Sequence, residues 1–237
     1  MKKALVTSLL IIAAIPMLIA VAALPRHGAL DTPVQTGISA HYLEFGVEEA
    51  GAENIVTDVI LNYRGFDTEF EVTVIFTSLA AVLALLLGAS TAGATLSRPG
   101  SGVRPSVVVR FVVRLLAPFT AMFAIYVILN GHISPGGGFQ GGAVLGALFI
   151  TLTVVLGGAR VAGAFPEASR RWLQIAAPLT FAVAGVAGVL LTGFYLGYPT
   201  EVGLHWLRTF MIIAIEIGIG VGGAAIIATL FIVMEAE

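Results

Sequence analysis

Glu216 is the side chain in this sequence that is most clearly placed to handle a proton or a small cation. It lies inside the apolar run 207–234, between Ile215 and Ile217, and no basic residue lies within one helical turn of it. Ionisable groups at membrane depth are costly, so a functional role is the default hypothesis. Such a carboxyl could take up and release protons near neutral pH. The alternative is a protonated Glu216 that makes one interhelical hydrogen bond, and both interpretations stay open.

Glu71 and Asp58 are two further acids that could lie on an ion path. Glu71 lies deeper in its apolar run than Asp67 and Glu69, whose position is explained by the preference of acids for a helix N-terminus. Asp58 precedes Asn62 by four residues, so the two side chains share one helix face. The sequence therefore offers Glu71 and Asp58 as path candidates and Asp67 as a structural residue.

His132 lies in a turn that is rich in proline and glycine, within residues 130–139. The simplest interpretation is a tight hairpin between two helices. A hairpin does not need an asparagine and a histidine beside glycine-rich backbone, however. The turn could dip inward and present main-chain dipoles and an imidazole to a polar path, and an imidazole titrates near neutral pH.

The sequence contains no recognisable catalytic or cofactor motif. It has no cysteine, which excludes disulfides, thiolate metal sites and cysteine-ligated clusters. The stretch that begins Gly136-x-Gly138-x-x-Gly141 matches the dinucleotide fingerprint, but it lies beside apolar helices and lacks the strand that this fingerprint requires. The histidines and acids show no metal-ligand spacing. We therefore expect no enzyme activity, no cofactor and no metal.

Composition indicates that membrane-spanning helices position these residues. Hydrophobic residues make up 58% of the chain and charged residues 11%, whereas a soluble domain carries about 25% charge. A spanning helix needs about 20 mostly apolar residues. The sequence thus predicts an all-α, polytopic membrane protein with six spans, at 4–24, 72–92, 107–129, 139–158, 173–195 and 207–234.

Two segments near the N-terminus differ from an ordinary span. The first apolar run is preceded by two lysines and could be a signal peptide, but it is longer than a typical signal sequence, which favours a retained helix at 4–24. Residues 52–63 predict a short, broken helix at or partly within the membrane, which Arg64 and Gly65 stop before a helix at 67–92. A break exposed to lipid would leave main-chain groups unsatisfied, so protein must cover it.

Basic residues predict the orientation. If the N-terminus is cytoplasmic, nine of the 12 lysines and arginines fall on or near the cytoplasmic side, all except Arg26, Arg64 and Arg208. That asymmetry follows the positive-inside rule, so both termini are predicted to be cytoplasmic. The net charge of −2 gives no reason to expect nucleic acid as a partner.

Glycines repeat at a spacing of four residues in two spans. Gly138, Gly142 and Gly146 form one set, and Gly218 and Gly222 form the other. Small residues at this spacing allow helices to approach closely in lipid. Packing within the chain is a simpler explanation than dimerisation.

Residues 131–142, which read Gly-His-Ile-Ser-Pro-Gly-Gly-Gly-Phe-Gln-Gly-Gly, closely resemble the signature of the MnhB family, the B-type component of the Mrp multisubunit sodium/proton antiporters. The resemblance extends over about residues 105–234. Glu216-Ile217-Gly218 lies where the family tends to have Asp-Ile-Gly. The resemblance implies a helical accessory subunit that packs against antiporter-like subunits.

Residues 54–68 resemble a different part of the same complexes, the tail region of the large, A-type antiporter subunit, which is a separate E-type subunit in membrane-bound hydrogenases. Glu71 matches the acid that follows this motif. The family usually has an acid at the position of Asn62, so a proton role carries over only if Asp58, one turn earlier, replaces it. The two resemblances predict a fusion of an E-like module, 1–95, and a four-helix MnhB-like module, 100–237.

Three functions are compatible with these resemblances. The first is an accessory subunit of a cation/proton antiporter in the cell membrane, with other membrane subunits and the bilayer as partners. The second is a membrane-arm subunit of a related energy-converting hydrogenase or ferredoxin-linked complex. The third is a purely structural assembly subunit. In each, the motifs supply a structural set comprising Arg64, Gly65, Asp67, Pro135, Gly136, Gly137, Gly138, Gly141 and Gly142.

Overall fold

The computed structural model describes residues 2–91 and 105–235, and the regular elements of these residues are all helical, as predicted. The elements are α1 (Lys2–Ala22), α2 (Pro33–Thr36), α3 (Ile38–Glu49), α4 (Ile55–Thr57), a π-helical segment (Asp58–Tyr63), α5 (Gly65–Thr91), α6 (Val107–Leu129), α7 (Gly138–Leu156), α8 (Gly158–Ala164), α9 (Glu167–Thr192), a 3₁₀ turn (Val202–Leu204) and α10 (His205–Glu235).

Six of these helices are long and apolar enough to cross a membrane, which confirms the predicted number of spans. The α6 helix has the predicted bounds, and most of the others differ from the prediction by two or three residues. The α9 helix begins at Glu167 rather than at 173, because its first turns are charged and contain an Arg171–Glu167 ion pair of 2.6 Å. The predicted end of the second span, at 92, and the predicted module boundary, 95–100, lie outside the described residues.

The chain divides into two compact units, Met1–Glu44 and Phe45–Glu237. The first contains the α1 span and the α2 helix, whose N-cap residue Thr32 accepts a hydrogen bond from the Gln35 amide at 3.3 Å. The second contains the other five spans and all the candidate residues. The assignment of 1–95 and 100–237 to two fused modules concerns family resemblance, and it stays a prediction.

The second unit is built around α10. This helix packs against α7 and α9, while α6 packs on the far side of α7 and α5 packs on α9 and α10. A Cβ placed on Gly142 would lie 2.6 Å from the carbonyl oxygen of Gly220, and one on Gly146 would lie 2.8 Å from Ile227. Gly222 faces Ala177 on α9 in the same way. The repeated glycines therefore allow close packing within the chain, as their spacing favours.

The short α4 helix and the π-helical segment form the predicted break before α5. Asn54 caps α4 by accepting the Val56 amide at 3.1 Å, and the irregular helix continues to Tyr63. The hydroxyl of Tyr198 donates to the carbonyl of Leu61 at 3.0 Å, and that of Thr68 donates to the carbonyl of Ile60 at 2.5 Å. The chain itself thus satisfies two carbonyls that the π-helical geometry would otherwise leave exposed.

Candidate functional site

Glu216 lies buried near the middle of α10, with 2% of its surface exposed. Its Oε1 atom lies 3.5 Å from the hydroxyl oxygen of Thr57. Its Oε2 atom is buried and has no hydrogen-bond partner among the described residues. Buried polar atoms are almost always satisfied in folded proteins. This carboxyl group is therefore available to a proton, a water molecule or a cation.

The loop between α6 and α7 closes over Glu216. Gly136 and Gly137 have φ values of +140° and +124°, a region in which side chains are strained, so the turn that starts α7 favours glycine. A Cβ on Gly137 would lie 3.3 Å from Glu216 Oε1, and one on Gly131 would overlap the carboxyl group. The loop therefore brings its main chain against the acid, which requires glycine at Gly131.

Asn54 and Thr57 join the α4 helix to this loop. The Asn54 side-chain amide donates to the carbonyls of Gly131 at 2.7 Å and Ser134 at 2.9 Å. The Thr57 hydroxyl donates to the same Gly131 carbonyl at 2.7 Å. The main-chain amide of Asn54 also donates to the carbonyl of His132 at 3.1 Å. These four hydrogen bonds fix the loop beside Glu216 from the α4 side.

Asn54 and Thr57 were not among the predicted site residues. Their partners lie 74 to 80 positions later in the chain, a distance over which no local pattern indicates a contact. The available signal was the presence of polar side chains in a short, otherwise apolar segment. That signal marked the segment, but it did not show that Thr57 would be the residue that faces Glu216.

His132 lies in the loop and is half-buried. Its Nδ1 atom is buried and makes no hydrogen bond with the described residues. Pro135 lies in the same loop, while Gly138 and Gly141 begin α7 and pack against α10 and α6 respectively. The structure thus brings the His132 loop to Glu216.

Asp58 follows Thr57 in the chain and is 1% exposed. Its Oδ1 atom accepts a hydrogen bond from the Ala52 amide at 2.9 Å, and its Oδ2 atom is buried with no partner in the described part of the chain. Burial raises the pKa of Asp58 to about 6, against the opposing effects of the Ala52 amide and the nearby charge of Arg208. Asp58 can therefore exchange a proton at moderately acidic pH.

Arg208 is the basic group closest in effect to this acid, and it is 5% exposed. Its guanidinium group lies 3.5 Å from the carbonyl of Glu48 and 3.4 Å from that of Glu49, and its Nη2 atom lies 3.1 Å from His205 Nδ1. Gly51, at φ +84°, packs directly on the guanidinium group. Sequence reasoning treated Arg208 only as a topology marker and missed this buried position.

Glu71 lies apart from the other candidates. It is exposed on α5, and the structure does not bring it to Glu216, Asp58 or His132. At the start of the same helix, Arg64 and Asp67 form an exposed ion pair of 2.5 Å across the break, and a Cβ on Gly65 would lie 3.2 Å from the Leu196 side chain. The candidates therefore form one buried group around Glu216 and one separate acid.

Two families match successive parts of the chain. Residues 108–228 match a domain related to the MnhB subunit of Na⁺/H⁺ antiporters, and residues 7–100 match the MbhE family, the E-type subunit of MBH. The A/B-type subunit of a K⁺/H⁺ antiporter of Rhizobium meliloti is 30% identical over 193 residues, which are 73% of this chain and 19% of the relative. The chain thus spans about a fifth of that relative's length.

Two solved structures share the fold. A chain of the membrane-bound sulfane sulfur reductase, an archaeal respiratory membrane complex, is 30% identical with a TM-score of 0.64, and the match covers 94% of this chain and 97% of that one. A chain of the Mrp complex from Dietzia sp. DQ12-45-1b is 20% identical with a TM-score of 0.63, over 96% of this chain and 26% of that one.

The family match and the six spans agree on location and type. The chain is a multi-pass protein of the cell membrane, and the matching family is named for an antiporter subunit, not for a catalytic enzyme. The order of the two matches is the predicted fusion, with the E-like part before the MnhB-like part. The chain therefore belongs to the family of domains related to the MnhB subunit of Na⁺/H⁺ antiporters.

Proposed function

We propose that this chain is an accessory membrane subunit of a multisubunit cation/proton antiporter and that Glu216 forms part of its proton or cation path. The observation that carries the proposal is a buried carboxyl group near the middle of a spanning helix, with one oxygen free of partners among the described residues. Ionisable groups at that depth mark ion and proton pathways in many membrane proteins. The family to which the chain belongs supports the same class of function.

The groups around Glu216 support a short path toward Asp58. The Thr57 hydroxyl lies 3.5 Å from Glu216 Oε1, and a hydroxyl can both accept and donate a proton. Asp58 is the next residue in the chain and has its own unsatisfied oxygen. In this proposal a proton or hydrated cation passes between the two acids along the Thr57 side, while Arg208 sets the charge near Asp58. His132 is a further candidate for proton exchange.

The chain is proposed to be accessory because it offers few ionisable groups at membrane depth. Among the described residues no group of three His, Cys, Asp or Glu side chains could hold a metal ion. We propose that the protein has no catalytic site and no cofactor of its own, and that other membrane subunits build the main part of the path. Its partners are then those subunits and the lipid bilayer, without nucleic acid.

A second candidate is a subunit in the membrane arm of an Mrp-related energy-converting complex, such as a hydrogenase or a ferredoxin-linked enzyme. The favouring observation is the chain from the sulfane sulfur reductase, which matches this chain over 97% of its own length. Genes for iron–sulfur or nickel–iron subunits beside the gene for this chain would favour this candidate over a free-standing antiporter.

A third candidate is a purely structural subunit in which Glu216 only stabilises helix packing. The partner-free oxygen of Glu216 argues against it, since a structural carboxyl group would be expected to have both oxygens satisfied within the chain. In this case replacing the acid would leave both assembly and transport intact.

Sodium- and potassium-dependent proton exchange in inverted membrane vesicles tests the proposal. The vesicles contain the complete complex, the complex without this chain, or the complex with the chain restored. We expect exchange to be lost without the chain and to return when it is restored. Undiminished exchange in vesicles without the chain would show that the chain is not a working part of an antiporter.

A further inference from the structure

The depth of Glu71 in the membrane follows from the way α5 lies along α10. Val72 and Ile219 line the same apolar cavity of about 330 Å³. Four residues further along α5, the ring of Phe76 lies 3.2 Å from the place of a Cβ on Gly222. The two helices therefore run in the same direction, and Glu71 is level with Gly218.

That level is close to the middle of the membrane. The α10 span runs from His205 to Met234. At a rise of 1.5 Å per residue, Gly218 lies roughly 20 Å from the first end and roughly 24 Å from the other. Glu71 therefore lies near the centre of the bilayer, although it is only in the second turn of α5.

Glu71 differs from the two acids before it. Asp67 pairs with Arg64, and Glu69 accepts a hydrogen bond from the Tyr195 hydroxyl at 2.8 Å. Glu71 is exposed and makes no hydrogen bond or ion pair with the described residues. A carboxyl group that faces lipid at this depth is strongly disfavoured. The structure thus requires that something other than lipid covers Glu71.

The surface around Glu71 has the character of a helix contact. Residues at intervals of three and four along α5 are all exposed and form one stripe, here called the α5 stripe: Glu71, Val74, Ser78, Ala81 and Leu85. Ser78 and Ala81 are small, which allows a second helix to approach closely in lipid. The Ser78 hydroxyl donates to its own helix, to the Val74 carbonyl at 2.8 Å, so it does not need a partner. The acid is then the polar group of the stripe that lacks one among the described residues.

We infer that the α5 stripe is the contact face for a transmembrane helix of another subunit, and that this helix presents a lysine or an arginine to Glu71. This inference rests on the proposed function only in assuming that the chain belongs to a multisubunit membrane complex. A basic side chain suits the site better than a metal ion, because the described residues supply a single carboxyl group there and a pair of opposite charges neutralises both at membrane depth.

Photo-crosslinking in the intact complex tests the contact. A benzophenone side chain is placed at Ser78, and as a control at Leu190, which is 81% exposed on α9. We expect the adduct at 78 to be a transmembrane segment of another subunit that has a lysine or arginine within one turn of the depth of Glu71. Lipid adducts at 78, a segment without a basic residue, or a segment of a second copy of this chain would each overturn the inference.

Charge exchange tests the role of Glu71 itself. In the Glu71→Lys background we expect the crosslink from 78 to fall at least about tenfold, because two like charges would then face each other. Changing the identified basic residue of the partner to glutamate should restore it, while the adducts at 190 should not change. A crosslink that is insensitive to the charge at 71, or not rescued by the exchange, contradicts the inference.

The outcomes also separate this inference from the proposed function. If the chain purifies with no other membrane subunit, the proposed function fails, and this inference fails with it. If the complex purifies intact and exchanges protons but 78 contacts only lipid, the inference alone is wrong.

Discussion

Gly131 and Glu216 constrain each other at the scale of single residues. The loop carbonyl and the α10 carboxyl group share a space in which a Cβ on Gly131 would overlap the acid. We expect Gly131→Ala to lower the free energy of unfolding by about 1–3 kcal/mol, as overpacking of a filled interior does. Thermal denaturation in detergent measures this, with Gly203→Ala as the control because a Cβ there meets nothing within 4 Å.

A double substitution shows whether the acid causes that cost. In the Glu216→Ala background the overlap is removed, so Gly131→Ala should cost markedly less than it does alone. If the two substitutions are simply additive, the close approach of the loop to Glu216 is not what makes Gly131 necessary.

Asp58 gives a prediction about pH. Its raised pKa, about 6, means that the folded protein binds this proton more tightly than the unfolded chain does. The free energy of unfolding should therefore fall as pH rises from about 4 to about 6, by roughly 3 kcal/mol. Asp58→Asn lacks this loss, so its stability relative to the wild type should grow over that interval and level off above it.

Melting temperatures in detergent at several pH values check this prediction. Asp31→Asn, which changes an exposed acid, is the control and should track the wild type at each pH. A constant difference between Asp58→Asn and the wild type from about pH 4 to about pH 7 would mean that Asp58 does not change its charge in this range.

The sequence identified some of these residues and missed others for a physical reason. Glu216 and His132 stand out because a titratable group in an apolar or glycine-rich run is unusual. Thr57 and Arg208 do not stand out, since a threonine near a membrane is common and an arginine near a helix end normally reaches the interface. Their importance comes from contacts between distant parts of the chain.

At the scale of elements, the α4 helix and the loop between α6 and α7 depend on Asn54. Its side chain donates to two loop carbonyls and also caps α4. We expect Asn54→Ala to lower the free energy of unfolding by about 1–3 kcal/mol and to speed amide hydrogen exchange in the loop. Asn130→Ala removes one hydrogen bond to its own helix and should have a smaller effect. Equal effects of the two variants would contradict the role given to Asn54.

Hydropathy predicted the spans because each is a continuous apolar run, and it was least accurate where a helix begins with charged residues, as α9 does at Glu167. The α2 and α3 helices were not predicted, since four glutamates lie in or near that segment and no long apolar run marks it. A short broken helix was expected at 52–63, but the π-helical form of Asp58–Tyr63 depends on Tyr198 and Thr68, which no local pattern reveals.

At the scale of the whole molecule, the orientation in the membrane is still a prediction. The chain has no cysteine, so single cysteines can be labelled without background. Ser169→Cys, at the start of α9, should react with a membrane-impermeant maleimide only from the cytoplasmic side. Glu201→Cys, in the exposed segment before α10, should react only from the outside. The opposite pattern would mean that both termini lie outside.

The candidate path joins parts of the chain that match two different families. Asn54 and Thr57 lie in the range that matches the MbhE family, whereas Gly131 and Glu216 lie in the range that matches the MnhB-related domain. The hydrogen bonds between them are therefore contacts between two modules, and fusion of the modules keeps both sides of the path in one polypeptide.

Cation-dependent proton exchange by the Glu216→Gln complex, measured beside its subunit composition, tests the central claim most directly. Glutamine keeps the shape of the side chain but cannot exchange a proton. We predict an assembled complex whose exchange falls at least about tenfold, with a smaller loss for His132→Ala and no loss for the exposed control Glu201→Gln. Wild-type exchange by an assembled Glu216→Gln complex would contradict the account.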